Sequence, residues 1–240
     1  MSVLQQDVIE WPCELSKLFK ESLLDGATKK SHSSGNKFNI HHQQQYGLYY
    51  VLNGSVMMTA PMLHEDNLIS KLYGKGDWFC YAPLMNFKFS FGMQGQFLQK
   101  VEYIKIPLSH LNYLLSQSDE LFKLLFFIKS ERADTLLEKC LVNAYASLPE
   151  KVAYSLLDLY RVQAGTLAGQ RHEVDLQVTQ QQIGQLAAMN RARVNTTIQS
   201  FSDKGIIEPY RGGIKILDID GLRREIEPLQ LLNASKLLDL

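Results

Sequence analysis

The sequence predicts an α+β protein: an N-terminal antiparallel β-roll, one long helix and a C-terminal winged helix-turn-helix. Three observations carry this. Short apolar or alternating runs broken by turn residues fill about 36–108, as in an antiparallel barrel or roll. No Gly or Pro interrupts Ser118 to Ala146, where helix formers dominate. Residues 178–217 then hold two short helical patterns across a tight turn, followed by two strands about a Gly-rich turn. The expected parts are 1–117, 118–146 and 147–240.

In the first part, Tyr46 to Leu52 leads into Asn53-Gly54, a strong hairpin signal, and then into Ser55 to Thr59. Leu68 to Tyr73 runs to the turn Gly74-Lys75-Gly76-Asp77. Phe87 to Phe91 alternates strictly, and Gln99 to Ile106 alternates again before Pro107. The long helix is apolar on more than one side. Ala133, Leu137, Cys140 and Ala144 follow the 4-3-4 spacing of a two-helix seam, while Leu121, Leu124, Leu125, Phe126, Phe127 and Ile128 cover much of the circumference. A helix of this kind buries more than one side. Packing one side on the roll and another on a second copy meets that need, so Leu121, Leu125, Ile128, Ala133, Leu137, Cys140 and Ala144 are expected at a homodimer interface. Leu148-Pro149 breaks the helix, and Pro149 suits the first turn of the next, Glu150 to Val162. A polar stretch, 163–170, leads to an alternating strand, Val174 to Val178.

The third part carries the chemistry. Thr179 is an N-cap, and Gln182 completes a capping box. Ile183, Leu186 and Ala187 face inward, and Gly184 lets the helices approach. After Ala188-Met189, Asn190 is a second N-cap, with Val194, Ile198 and Phe201 on the buried side. Arg191, Arg193, Asn195, Thr196 and Gln199 are left facing outward. Arginine, asparagine and glutamine make bidentate bonds to base edges, which points to double-stranded DNA. Lys204-Gly205 ends the helix. Two strands, Ile206 to Glu208 and Ile214 to Leu217, flank Arg211-Gly212-Gly213, with Arg211 and Lys215 as basic residues of the wing. An ordinary helix pair packed in a core would not explain two outward arginines beside a hairpin.

Composition narrows the class. Lys plus Arg equals Asp plus Glu at 25 each, so the whole-chain charge is silent about a polyanionic partner. Residues 178–217 are locally basic, with five basic against two acidic side chains. No signal peptide is evident at the N-terminus, and the apolar run Leu124 to Ile128 falls far short of the roughly 20 residues a membrane span needs. Cys13, Cys80 and Cys140 form no CxxC pair, and reduced thiols in a cytoplasm fit them. Cys80 and Cys140 are expected to be buried structural residues, with a thiol sensor as the other reading.

A roll, a long dimer helix and a winged helix in this order resemble the cyclic-AMP receptor protein and FNR (Crp/Fnr) family of bacterial transcription regulators. The resemblance covers about 36–225 and is most specific over Val178 to Leu217. Leu48 to Val56 and Gly76-Asp77-Trp78-Phe79 resemble the family's roll, a cyclic-nucleotide-binding-like jelly roll. It implies a cytoplasmic homodimer on a roughly palindromic operator, with RNA polymerase as a further partner and an effector that is not readable. It would place Thr179, Gln181 and Asn190 on DNA phosphates and Arg191 on a guanine. Ala192 and Thr196 fall where the cyclic-AMP receptor branch carries a glutamate and a second arginine, so the operator sequence should differ.

The roll departs from the family's nucleotide site. A buried cyclic phosphate needs a fixed positive charge, and guanidinium is the usual answer. The first arginine of the chain is Arg132, and 80–96 offers only Lys88. Cys80-Tyr81 stands where the family has Gly-Glu. Cyclic-nucleotide binding is therefore not expected. Trp78, Phe79, Tyr81, Phe87, Phe89, Phe91 and Phe97 are expected as core, or as the lining of an apolar pocket. Three dispersed cysteines cannot supply an iron–sulfur cluster's four thiolates. His41-His42, adjacent on a strand, would point to opposite faces and chelate no common metal. With no Gly-x-Ser-x-Gly, phosphate loop or His-Glu-x-x-His, neither an enzyme nor a cofactor is expected. The rival reading is a ligand-binding or interaction module whose winged helix docks protein.

Overall fold

A computed structural model describes residues 8–39, 46–60, 69–81, 94–164 and 173–227. It begins with helix α1 (Lys17–Asp25) and strands β1 (Thr28–His32), β2 (Lys37–Asn39), β3 (Gly47–Asn53) and β4 (Val56–Ala60). Strands β5 (Ile69–Tyr73), β6 (Trp78–Tyr81), β7 (Gln94–Phe97) and β8 (Val101–Pro107) follow, then helices α2 (Leu108–Leu115), α3 (Glu120–Tyr145) and α4 (Leu148–Ala164). The C-terminal elements are β9 (Val174–Gln177), α5 (Gln180–Leu186), α6 (Arg191–Asp203), β10 (Ile207–Tyr210), β11 (Gly213–Ile216) and α7 (Ile219–Ile226). They form two compact units, 1–56 with 73–134, and 57–72 with 135–240. No helix among the described residues is long and apolar enough to cross a membrane.

In the first unit an antiparallel sheet runs β1-β8-β3-β6. Leu48 opposes Ile106 and Tyr50 opposes Ile104 across β3 and β8. These residues share a core with Phe19 and Leu23 of α1, Leu111 and Leu114 of α2, and Leu121, Leu124 and Ile128 of α3. Burial of so many large aliphatic side chains, at about 25 cal/mol per Å² of apolar area, is the main stabilising term. Aromatic residues fill the rest: Tyr49 stacks on Phe79 at 4.7 Å, and Phe97 stacks on Phe38 at 5.0 Å. Trp78, Phe79 and Phe97 are buried core residues, whereas Phe87, Phe89 and Phe91 lie outside the described residues, as do His41, His42 and Lys88.

Several elements differ from the sequence expectation. The sheets begin at Thr28, earlier than 36, because β1 is a polar edge strand with no apolar alternation to mark it. Asn53-Gly54 does turn the chain, with Gly54 at φ 81°. Both edges of β3 are already taken by β8 and β6, so β3 and β4 are not a hairpin pair. A Cβ at position 54 would meet the Lys100 carbonyl oxygen at 2.3 Å, so the turn demands glycine for space as well as for φ.

Helix α3 corrects the expected dimer set. Leu121 and Ile128 are fully covered by their own unit, and half-buried Leu125 packs against the same core. Ala133, Leu137, Cys140 and Ala144 are exposed in the single chain, with Leu137 61% accessible and Phe126 68%. Periodicity identified both apolar sides but could not tell which one its own chain would cover. Cys140, expected to be buried, is an exposed free thiol because it belongs to the uncovered side; Cys13 is a half-buried free thiol.

The second unit is built around α4, which begins at Leu148 with Pro149 in its first turn and buries Val152, Leu156, Leu157, Leu159 and Tyr160. The antiparallel sheet β10-β11-β9 and helices α5, α6 and α7 pack around it. One buried carboxylate organises its polar interior. Asp158 receives Lys139 Nζ at 3.5 Å and Arg161 Nη2 at 3.1 Å, and the same Lys139 ammonium donates to the Ser70 carbonyl at 3.0 Å. Burial works against ionisation of Asp158. Lys139, Arg161 with its hydrogen bond, and Lys71 outweigh it and hold the carboxyl below its ordinary value of 3.8.

A depressed carboxyl pKa stabilises the fold above the unfolded value, and that contribution is lost as pH falls through the folded value. The Asp158 contribution is therefore complete at neutral pH and fades below about pH 4. Breaking a buried ion cluster costs about 3–5 kcal/mol. Lys139 and Arg161 keep 12% and 28% side-chain exposure, so Asp158→Asn is expected to cost about 2 kcal/mol at pH 7. Urea melts of both proteins from pH 7 to pH 3 are the check. A pH-independent difference between them would contradict the assignment.

Candidate nucleic-acid interface

The site is assembled from two caps and a turn. The Thr179 hydroxyl accepts from Gln182 N at 3.2 Å and donates to Gln182 Oε1, which also accepts from Thr179 N at 2.8 Å, closing the capping box that starts α5. Asn190 starts α6 in the same way, its Oδ1 accepting from Arg193 N at 3.0 Å. Between the helices Ala188 adopts φ 51°, and Met189 N donates to Gly184 O at 2.8 Å. A Cβ on Gly184 would stand 2.6 Å from the Met189 carbonyl oxygen, so glycine is what permits the tight crossing. The left-handed backbone at Ala188 costs about 1 kcal/mol or more, and the packing on either side of it offsets that cost.

That packing is the apolar stripe read from sequence. Ile183, Leu186 and Ala187 of α5 and Val194, Ile198 and Phe201 of α6 are all buried, together with Thr197, whose hydroxyl donates to Arg193 O. Gly205 follows the last turn of α6 at φ 70°. The chain then enters β10 and β11, where Ile207 opposes Ile216 and Tyr210 opposes Gly213, with Arg211-Gly212 at the tip.

With the inward face fixed, Arg191, Arg193, Asn195, Thr196 and Gln199 of α6 are exposed together, and Thr179 and Gln181 are exposed on α5. Their engagements differ. The Thr196 hydroxyl donates to Ala192 O at 3.2 Å, and Gln199 Nε2 donates to Asp203 Oδ1 at 2.8 Å, so both are tied to their own helix. The guanidinium groups of Arg191 and Arg193 have no hydrogen-bond or ion-pair partner among the described residues. Two exposed guanidinium forks thus stand at the N-terminal end of α6, where the helix dipole also favours anions. Arg211 is exposed at the wing tip. Lys215 lies on the central strand of the small sheet and pairs with Glu173, which raises its pKa; Asp175 and Glu208 flank it. Its charge is largely answered locally, whereas Arg211 has no ion-pair partner among the described residues. One residue escaped sequence reading: Gln180 Nε2 of α5 donates to Asn195 Oδ1 of α6 at 3.0 Å.

A family model for the Crp-like helix-turn-helix domain matches residues 150–225, from the start of α4 through α7. These residues form a Crp-like helix-turn-helix domain. The chain as a whole has the fold of Crp/Fnr regulators. It superimposes on a transcriptional regulator of that family from Eubacterium rectale with TM-score 0.69 at 18% identity, covering 88% of this chain and 95% of the other. A CRP/FNR-family regulator from Thermus thermophilus gives TM-score 0.66 at 21% identity, over 83% and 98% of the two chains. The c-di-GMP responsive global regulator CLP of Xanthomonas campestris gives 0.60 at 17% identity, over 82% and 96%. No curated protein matches in sequence. In the Crp-like domain of this chain the second helix of the motif is α6, which carries Ala192 and Thr196.

Proposed function

We propose that the protein is a sequence-specific DNA-binding transcription regulator, acting in the cytoplasm as a homodimer on a roughly palindromic operator. The observation that carries this reading is the exposed α6 face, with Arg191 and Arg193 unpaired among the described residues beside Asn195 at the start of a capped helix. The dimer reading rests on the uncovered side of α3, where Phe126, Ala133, Leu137, Cys140 and Ala144 lie exposed at heptad spacing. A two-fold pair would set two recognition helices about 34 Å apart, one turn of duplex. RNA polymerase is the partner such a regulator addresses. The test is duplex binding against salt: phosphate contact releases counterions, so log Kd should rise linearly with log salt concentration. Binding insensitive to salt, or none, would favour a winged helix that docks protein.

Cyclic AMP and cyclic GMP are not the effectors in this reading. The Xanthomonas neighbour answers to c-di-GMP, so the fold alone does not dictate the ligand. Among 80–96 only Lys88 is cationic, and Cys80-Tyr81 lacks the carboxylate for a ribose hydroxyl. Arg132, on α3, has its guanidinium 5.5 Å from the Tyr73 ring centroid. A desolvated phosphate without a paired cation costs several kcal/mol. Calorimetric titration with either nucleotide is expected to give no saturable heat in the micromolar range. Micromolar binding abolished by Lys88→Ala would overturn this reading of the roll.

A further inference from the structure

We propose that Gln180 is a positioning residue that presents Asn195 to an adenine in each half-site; this rests on the DNA-binding reading above. The starting observation is the 3.0 Å hydrogen bond from Gln180 Nε2 to Asn195 Oδ1, between residues fifteen positions apart on different helices. Both side chains lie on the open side of the motif, where an unanchored asparagine would sample several rotamers. The tight turn at Gly184 and Ala188 brings the start of α5 over the second turn of α6, and Gln180 is the residue next to the Thr179 cap. Its amide therefore braces Asn195 from a rigid element.

Adenine follows from donor and acceptor arithmetic. An asparagine amide offers one acceptor edge and one donor edge, and adenine presents N7 as acceptor and N6–H₂ as donor in the major groove. Asn195 Oδ1 has two lone pairs, so accepting from Gln180 leaves one for N6–H₂, while Nδ2 donates to N7. Guanine offers two acceptors and would oppose that oxygen. Cytosine offers a donor but nothing for Nδ2. Turning over both amides preserves their mutual bond and still leaves adenine as the match. Thr196 and Gln199, bonded within their own helix, do not compete for this base. Ala192 leaves the adjoining surface without a carboxylate that could select cytosine.

The experiment is selection of binding sites from a randomised duplex pool, followed by affinities of single-base variants of the winning site. The native chain should select a site with one adenine per half-site that Asn195→Ala makes indifferent, a loss of roughly 5- to 150-fold in discrimination there. Gln180→Ala should weaken discrimination at that same base pair, by about three- to tenfold, and leave the other positions unchanged. Gln180→Glu should retain most of it, because its carboxylate can accept from Asn195 Nδ2 while Oδ1 still faces the base. If the native chain selects no site, the DNA-binding reading fails. If it selects a site but Gln180→Ala lowers affinity for all sequences equally, Gln180 is a phosphate contact and this proposal fails. It fails equally if Asn195→Ala relaxes no adenine. Circular dichroism of each variant identifies any loss of fold, and Gln180→Glu keeps the test open if alanine destabilises α5.

Discussion

Leu137→Glu is expected to yield a folded monomer that binds a palindromic operator about a hundredfold or more weakly than the native chain. Leu137 is 61% accessible within its own chain, so glutamate there meets water and costs the single chain almost nothing. At a two-fold seam the same change places two carboxylates face to face in a desolvated interface, where like charges are costly. Operator binding then loses its second recognition helix, and with it the effective concentration that makes bivalent binding tight. Sedimentation equilibrium at micromolar concentration, beside a thermal melt, is the measurement. Cys140, one seam step further on, gives a companion readout. In a parallel pair its thiol would face its own copy within the roughly 4.4–6.8 Å Cα separation that a disulfide requires. Copper-catalysed oxidation should cross-link the native dimer, but neither Cys140→Ser nor Leu137→Glu. A dimer persisting in Leu137→Glu would place the interface elsewhere.

What was legible depended on whether one segment decided the matter. The capping box at Thr179, the cap at Asn190 and the stripe Ile183, Leu186, Val194, Ile198 and Phe201 are consequences of spacing within 23 residues, and each stands in the structure as read. The polar strand β1 was invisible because its side chains are exposed and its order comes from hydrogen bonds to β8, which leave no mark on composition. Asn53-Gly54 signalled a turn correctly but not which strand the next one would join, since that depends on β6 and β8 occupying the neighbouring edges. Leu121 and Ile128 look like Leu137 in sequence; only the cores that form around them separate inside from outside. The bond between Gln180 and Asn195 is tertiary, and nothing in the periodicity of either helix announces it.

Arg191→Ala should remove about 1–3 kcal/mol of discrimination per half-site, and about twice that for a two-fold operator if the halves act independently. Arg191 is the first residue of α6, just past the Asn190 cap, and it is exposed. Removing it therefore takes nothing from the core, and the melting temperature should hold. Its guanidinium fork matches O6 and N7 of guanine, the commonest specific contact in the major groove, and lysine, a flexible point charge, lacks that fork's fixed planar geometry. Arg191→Lys should accordingly restore affinity for duplex in general more than it restores preference for guanine. Gln181→Ala, on the exposed side of α5, is the contrasting variant: as a backbone contact it should weaken all sequences alike. Competition between operator and random duplex at fixed salt separates the two behaviours. Equal loss for both duplexes in Arg191→Ala would make Arg191 a phosphate contact, and would move guanine recognition to Arg193, the other α6 guanidinium exposed to solvent.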